Sequence, residues 1–267
     1  LDALFILGFS WDVAGAARAN VAGNCVSCAY LLYYVTRKQP LLSLSPRQLS
    51  PDVQVAGTVL SLGLPMACST LLMSLSHIIA NRMVIGYGSV ALAAQGISGK
   101  IGMVVTMLAM GICMGLQPAI SYNYSAGNLQ RMRHIIRSTA LFTFCLGSTI
   151  TLLCYLGRNG ILSAFIDNAE VIAYGQVFVF ASIITGPFYG LYQLCQTFLQ
   201  STGKASYASL VALMDKGLFY LPLLFLLGKA FGLYGIIFTG AVTLFLSLTA
   251  GISFSLVWSR KIDKGAI

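Results

Sequence analysis

Asp215 is the residue whose setting most demands a chemical explanation. It is the one acid that lies well inside an apolar stretch, SLVALMDKGLFYLPLL. A carboxylate at the centre of a bilayer-spanning helix costs about 2.5–3.5 kcal/mol on insertion scales, so it normally faces protein or water and has a role. Three roles are open to it: attracting a cationic solute, carrying a proton, or forming an ion pair that holds helices together. Lys216 follows directly, but a step of about 100° around a helix separates neighbours, so it need not be the partner. Uncharged hydrogen-bonding groups recur near or within other apolar runs: Gln95, Gln117, Gln176, Gln193, Gln196 and Asn81. Gln193 and Gln196 are three residues apart and share a helix face. With the aromatic residues Phe188, Tyr189 and Tyr192 they could line a polyspecific cation cleft, or they could serve as hydrogen bonds between helices. The candidate binding set is therefore Asp215, Gln193, Gln196, Gln95, Tyr189 and Tyr192.

Other reactive types carry less. Lys100 would repel a cationic ligand and is better suited to neutralising an acid elsewhere. Arg18 is placed to snorkel to an interface. Met103, Met107, Met110 and Met114 have helical spacing and suit a lipid-facing or packing surface. The seven cysteines all lie in apolar stretches, Cys25 and Cys28 as a CxxC inside one of them, and read as small apolar residues. His77 reads as a hydrogen-bonded structural histidine and His134 as a solvated one. No spacing suits a metal, and no HExxH or GxSxG is present, which argues against an intramembrane enzyme. No cofactor is expected.

The elements that must position these residues follow from composition. Of 267 residues, 57% are hydrophobic and 9% charged, with a mean hydropathy of +0.83. Soluble domains carry about 25% charged residues, so a soluble enzyme or a nucleic-acid module is excluded for the chain as a whole. Apolar runs of spanning length, about 20 residues, cover 13–35, 53–80, 90–120, 138–156, 171–199, 207–227 and 233–258, after a short apolar stub at 1–8. None alternates as barrel strands do. The expected fold class is an all-α polytopic membrane bundle, because lipid requires each segment to satisfy its own backbone.

The net charge of +9 reads as topology. Ten Lys and Arg fall in the segments following the first, third, fifth and last runs; Arg82, Arg158 and Lys229 fall on the opposite side. By the positive-inside rule the 36–52 and 121–137 loops and the C-terminus are cytoplasmic, in a multi-pass protein of the cell membrane. RMRHIIR at 131–137 is also a possible anionic-lipid site.

A repeat is visible at an offset of 220 residues: Leu1, Leu4, Phe5, Leu7, Gly8 and Gly15 recur as Leu221, Leu224, Phe225, Leu227, Gly228 and Gly235. Two homologous halves, as in transporters built from parallel repeats, would make 1–35 the end of an N-terminal lobe and 36–52 an interlobe loop. Residues 53–267 would form a six-helix C-terminal lobe with a short tail. On that reading the chain is a fragment whose missing N-terminal lobe is a partner.

Several segments resemble the multidrug and toxin extrusion (MATE) family: Val13-Ala-Gly-Ala-Ala17, Gly63-Leu-Pro65, Ala93-Ala-Gln-Gly-Ile97, Gly115-Leu-Gln-Pro118, Ile120-Ser-Tyr-Asn-Tyr124 and Ala126-Gly-Asn128. GLQPAISYNYSAGN is the most specific. The resemblance implies a twelve-helix antiporter of two six-helix lobes that expels small-molecule organic cations or drugs in exchange for H⁺ or Na⁺ by alternating access. Met73 stands where some branches carry a cation-site Glu, and 171–199 lacks the Asp those branches have. Another branch's essential Asp belongs to an N-lobe helix outside this chain. Asp215-Lys216 stands where members often have Arg-Gln. No coupling-ion ligand is therefore assigned here. A lipid-linked oligosaccharide flippase of the same superfamily, favoured by Lys100 and Lys216, and an inactive half-transporter are the alternatives.

Overall fold

The computed structural model describes residues 12–38, 53–165 and 168–263. The stub at 1–8 and most of the 36–52 segment lie outside them. The chain divides into two units, Leu1–Gly57 and Thr58–Ile267, and each is described by itself. The first holds α1, Asp12–Lys38, a helix of 27 residues. It contains the first expected span. Arg18, Asn20 and Asn24 dilute its apolar character, and it is not among the helices apolar enough to cross a membrane by composition. Cys25 and Cys28 are exposed on it as free thiols.

The remaining elements are α2 (Val53–Ile85), α3 (Ser89–Ser125), α4 (Leu129–Leu156), α5 (Arg158–Phe165), α6 (Ala169–Ser201), α7 (Ala205–Leu213) and α8 (Tyr220–Asp263). Among the described residues, five helical stretches are long and apolar enough to span: Ala67–Ile85, Ser89–Ser125, Leu129–Leu156, Glu170–Ser201 and Ala205–Ile262. The last holds both of the final expected spans. It folds back at Gly232, whose φ of 60° and ψ of −135° no ordinary side chain adopts comfortably. The two arms then pack against each other: Val211 clusters with Leu244 and Leu248, and Leu224 with Ile236 and Ile237.

One expectation is corrected at the 121–137 segment. It is not a loop: α3 continues to Ser125, a turn covers 126–128, and α4 begins at Leu129, so RMRHIIR is helical. Arginine and the apolar residues between are good helix formers, and a helix need not stop where the bilayer does. The turn is closed by Asn128 N–H donating to the Asn123 carbonyl at 2.9 Å, and the turn after α6 by Lys204 N–H donating to Leu199 at 2.8 Å. Both are the wide bond of a Schellman motif.

The core of this unit is built on α6. Its N-terminus is capped by Asn168, whose side chain accepts from the amides of Glu170 at 2.9 Å and Val171 at 3.3 Å. On one side α3 buries Ala91, Ala94, Ser98, Ile101, Val105, Ala109 and Cys113, a 3–4 spacing that makes one helical face. Met103, Met107, Met110 and Met114 occupy its exposed side, as a lipid-facing stripe requires. Ser98 Oγ donates to the Gly175 carbonyl at 3.2 Å and Ser201 Oγ to that of Gln117 at 3.3 Å, tying α3 to α6. On the other side α4 buries Thr139, Thr143, Gly147 and Thr151, a small residue at every fourth position. Of these, Gly147 and Thr151 meet Gly186 and Thr143 meets Gly190 of α6, a small-xxx-small contact of the kind that lets membrane helices approach closely. A Cβ on Gly147 would stand 2.8 Å from the Gly186 carbonyl oxygen.

Candidate functional site

Between α7 and α8 the helix widens. Met214–Leu218 forms a π-helical turn, closed by Phe219 N–H donating to the Met214 carbonyl at 2.9 Å. Such turns insert one residue into a helix and recur at functional sites. This one carries Asp215. Gly217 is buried in the turn and faces Leu72 of α2 so closely that a Cβ would stand 2.8 Å from its Cδ1. Ser76 of α2 donates its hydroxyl to the Lys216 carbonyl at 2.6 Å, so the turn is anchored by a bond from a second helix.

The Asp215 carboxylate is buried, at 6% exposure, and doubly engaged. Lys216 Nζ lies 2.6 Å from Oδ2, and the Tyr192 hydroxyl donates to the same oxygen at 3.2 Å. Gln196, one turn further along α6, donates Nε2 to the Tyr192 hydroxyl at 2.5 Å. A line of hydrogen bonds thus runs Gln196–Tyr192–Asp215 and ends on the Lys216 ammonium. Lys216 is therefore the partner that helix geometry alone left open. Its long stem lets the ammonium fold back onto the preceding residue.

Asp215 and Lys216 line a cavity of about 370 Å³ inside the Thr58–Ile267 unit. Tyr189 and Tyr220 contribute aromatic wall, and Ser76, His77, Thr106, Ser182 and Thr185 contribute polar groups. The Tyr189 and Tyr192 ring centroids are 5.7 Å apart. Met73 also lines the cavity, so the position where some family branches carry an acid faces the same space with a thioether.

Of the six candidate residues, four are assembled here: Asp215 and Tyr189 on the wall, Tyr192 and Gln196 behind it. Gln193 is half-buried on α6 and is not part of the cavity lining. The shared face proposed for Gln193 and Gln196 does not serve the site; the pair that does is Tyr192 and Gln196, four apart. Gln95 is likewise outside it, half-buried on α3, its Oε1 without a hydrogen-bond partner. Gln176 pairs with Asn159 of α5 at 2.9 Å, a structural bond, and Phe188 packs edge-on to Phe144 and Phe245. His77 is exposed and lines the cavity, whereas the sequence placed it in an apolar run. Ser76, Thr106, Ser182, Thr185 and Tyr220 were missed, since a single hydroxyl in an apolar helix has no signature until a neighbour is known. Among the described residues no group of three or more His, Cys, Asp or Glu could hold a metal.

A bundle of spanning helices around a partly open, mostly apolar cavity that holds a charged pair fits a membrane transport protein. Residues 65–226 match the MatE family, and the chain belongs to it. It is 25% identical to the multidrug export protein MepA of Staphylococcus saprophyticus over 239 residues, 90% of this chain and 52% of that protein. It is also 25% identical to MepA of Staphylococcus aureus over 244 residues, again 90% and 52%. The chain thus spans about half the length of the curated relatives it matches. Its fold is that of solved MATE transporters. It matches VcmN of Vibrio cholerae in the bent form with a TM-score of 0.75 at 22% identity, over 99% of this chain and 59% of that one. A MATE protein in the straight conformation matches with a TM-score of 0.82 at 16% identity, over 99% and 60%.

Proposed function

We propose that the whole protein exports organic cations or drugs in antiport with H⁺ or Na⁺ by alternating access, and that residues 53–267 are its C-terminal lobe. Family membership and relatives described as multidrug export proteins support the reading. The observation that carries it for this chain is the buried Asp215 carboxylate on the wall of a 370 Å³ cavity, flanked by tyrosines. That volume falls in the range of small-molecule sites, and a carboxylate with an aromatic wall suits a cation. Asp215 is already neutralised by Lys216, so a cationic solute or a proton would have to compete with that ammonium. This competition is the means by which occupancy could be coupled to helix movement, because the π turn holding the pair is bonded to α2 through Ser76. The ligands of the coupling ion are not assigned to this chain.

The orientation is part of the proposal. Ile120, Met132, Phe198, Leu199, Ala208 and Trp258 form one cluster, which gathers the α3–α4 turn, the α6–α7 turn and the end of α8 at one end of the bundle. Arg131, Arg133, Arg137, Lys204, Arg260 and Lys261 belong to that end, and Lys204 Nζ sits 4.3 Å above the Trp258 ring. The other end holds Arg82, Arg158 and Lys229. The richer end is the cytoplasmic one by the positive-inside rule.

The test is dye export from cells lacking their own efflux systems, expressing the native gene product or its Asp215→Asn variant, with H⁺ and Na⁺ gradients collapsed in turn. Export that depends on one gradient supports the reading. Undiminished export of ethidium-type dyes by Asp215→Asn removes Asp215 from the mechanism, and no export by the native protein overturns the reading.

A further inference from the structure

One face of α4 carries cations at its start and apolar side chains beyond. Arg131, His134 and Arg137 follow each other at steps of three and are all exposed, opposite the buried row Met132, Thr139, Thr143, Gly147 and Thr151. Arg133 is half-buried and already engaged, so it stands apart from them. Leu141 lies four residues beyond Arg137 and seven beyond His134, on the same stripe. Leu141, Phe142 and Leu152 are 67%, 57% and 56% exposed, and Cys145 between them is exposed too. This face does not serve the cavity. α4 packs on α6 and α3 and contributes no residue to the lining, so its exposed side is an outer surface of the bundle. The cations also lack a countercharge nearby in sequence. No Asp or Glu occurs from 53 to 166, and Asp263, at the same end of the bundle, follows Arg260 and Lys261, which outnumber it.

We propose that this face seats an anionic phospholipid, its phosphate on Arg131, His134 and Arg137 and one acyl chain along Leu141, Phe142 and Cys145. The depth fits. Arg131 and Arg137 are about 9 Å apart along the axis at 1.5 Å per residue, and one headgroup layer is about 5–7 Å thick. With Leu141 and Phe142 in the hydrocarbon, the three cations stand through the layer that holds the phosphates. A guanidinium grips phosphate through paired, charge-assisted N–H bonds, and either tautomer of His134 keeps a ring N–H to donate. A zwitterionic lipid brings its own ammonium to cancel its phosphate; an anionic one supplies the charge the face lacks. The seat depends neither on the export reading nor on which end is cytoplasmic.

The experiment places a reporter on the stripe. The native gene product with Phe142→Trp is reconstituted in phosphatidylcholine bilayers containing brominated-chain phosphatidylglycerol, which quenches a nearby tryptophan. Brominated-chain phosphatidylcholine is the reference, and the protein without the reporter gives the background of the native tryptophans. Quenching at 142 should show a preference for phosphatidylglycerol of about twentyfold, about fivefold for each arginine. Arg131→Gln with Arg137→Gln should bring the two lipids to near equality. Arg260→Gln with Lys261→Gln removes the same charge from the same end, at exposed positions, and should leave most of the preference. Equal quenching by the two lipids in the reporter protein overturns the seat, as does a preference that survives the loss of Arg131 and Arg137. A preference that falls as far with the Arg260 and Lys261 pair also overturns it, because the attraction is then diffuse. The first comparison needs no arginine variant to fold.

Discussion

Lys216 Nζ rests 2.6 Å from the carboxylate of Asp215, the residue immediately before it in sequence. Both belong to a π-helical turn. The carboxylate is 6% exposed and the lysine side chain 36%, so the acid is held inside while the base reaches into the cavity. The pair is internally neutral, and it gives an apolar helix a charge that a ligand or proton can contest.

Asp215→Asn leaves Lys216 beside a neutral amide. Breaking a fully buried pair costs about 3–5 kcal/mol; with the lysine more than a third exposed, solvent screening reduces this to about 1–2 kcal/mol. The expected result is a protein that still folds in detergent, with a thermal midpoint a few degrees lower and weakened dye export. Thermal unfolding and export, measured on one preparation, separate the two effects.

Tyr192→Phe deletes the hydroxyl that joins Gln196 to Asp215 and should cost about 1–3 kcal/mol, because it leaves buried groups short of a partner. Gln196→Leu alone should cost less. The double variant should be less damaging than the sum, by about 0.5–1.5 kcal/mol, as residues sharing one network are not additive. A strictly additive cycle in thermal unfolding would show that the two bonds act separately.

Gly147→Val should destabilise the bundle by about 1–3 kcal/mol, the usual cost of overpacking, because its branched side chain would meet the α6 backbone at Gly186 and Pro187. Gly111→Val, on an exposed face of α3 with open space around it, should fold normally. Thermal midpoints of the two variants are the check; equal losses would mean that the α4–α6 contact tolerates separation.

Gly232→Ala places a side chain at φ 60°, ψ −135°. Strain of this kind is worth about 1–3 kcal/mol, and it falls where the last two spans fold back on each other. Reduced yield of folded protein is expected, and size-exclusion profiles in detergent report it.

Cysteines introduced at Asn128 and Ala230 lie at opposite ends of the bundle. In intact cells a membrane-impermeant maleimide should label Ala230→Cys above the native-cysteine background and leave Asn128→Cys unlabelled until the cells are opened. The reverse pattern would invert the orientation argued from loop charge.

Much of this protein was legible without coordinates. Long apolar runs have one stable solution in lipid, so the helical bundle followed from composition and run length. Charge counts in short segments were readable because they are sums over sequence. Asp215 stood out because an acid in an apolar helix is costly wherever that helix packs. The family resemblance rested on strings such as GLQPAISYNYSAGN, which need no geometry.

Tertiary structure decided the rest. An ideal helix would turn Lys216 away from Asp215; a π turn, packed on Leu72 and bonded by Ser76, set where the pair points. Gln193 and Gln196 looked equivalent by spacing, yet only Gln196 stands one turn from Tyr192 on the same face of α6, and it is the π turn that brings Asp215 against that face rather than against Gln193. Hydroxyls at 106, 182 and 185 acquired meaning only when α3 and α6 brought them to one wall. Sequence determines which groups an apolar helix must carry and at what cost. Which of them meet depends on how the helices cross, a property of two surfaces that neither helix encodes alone.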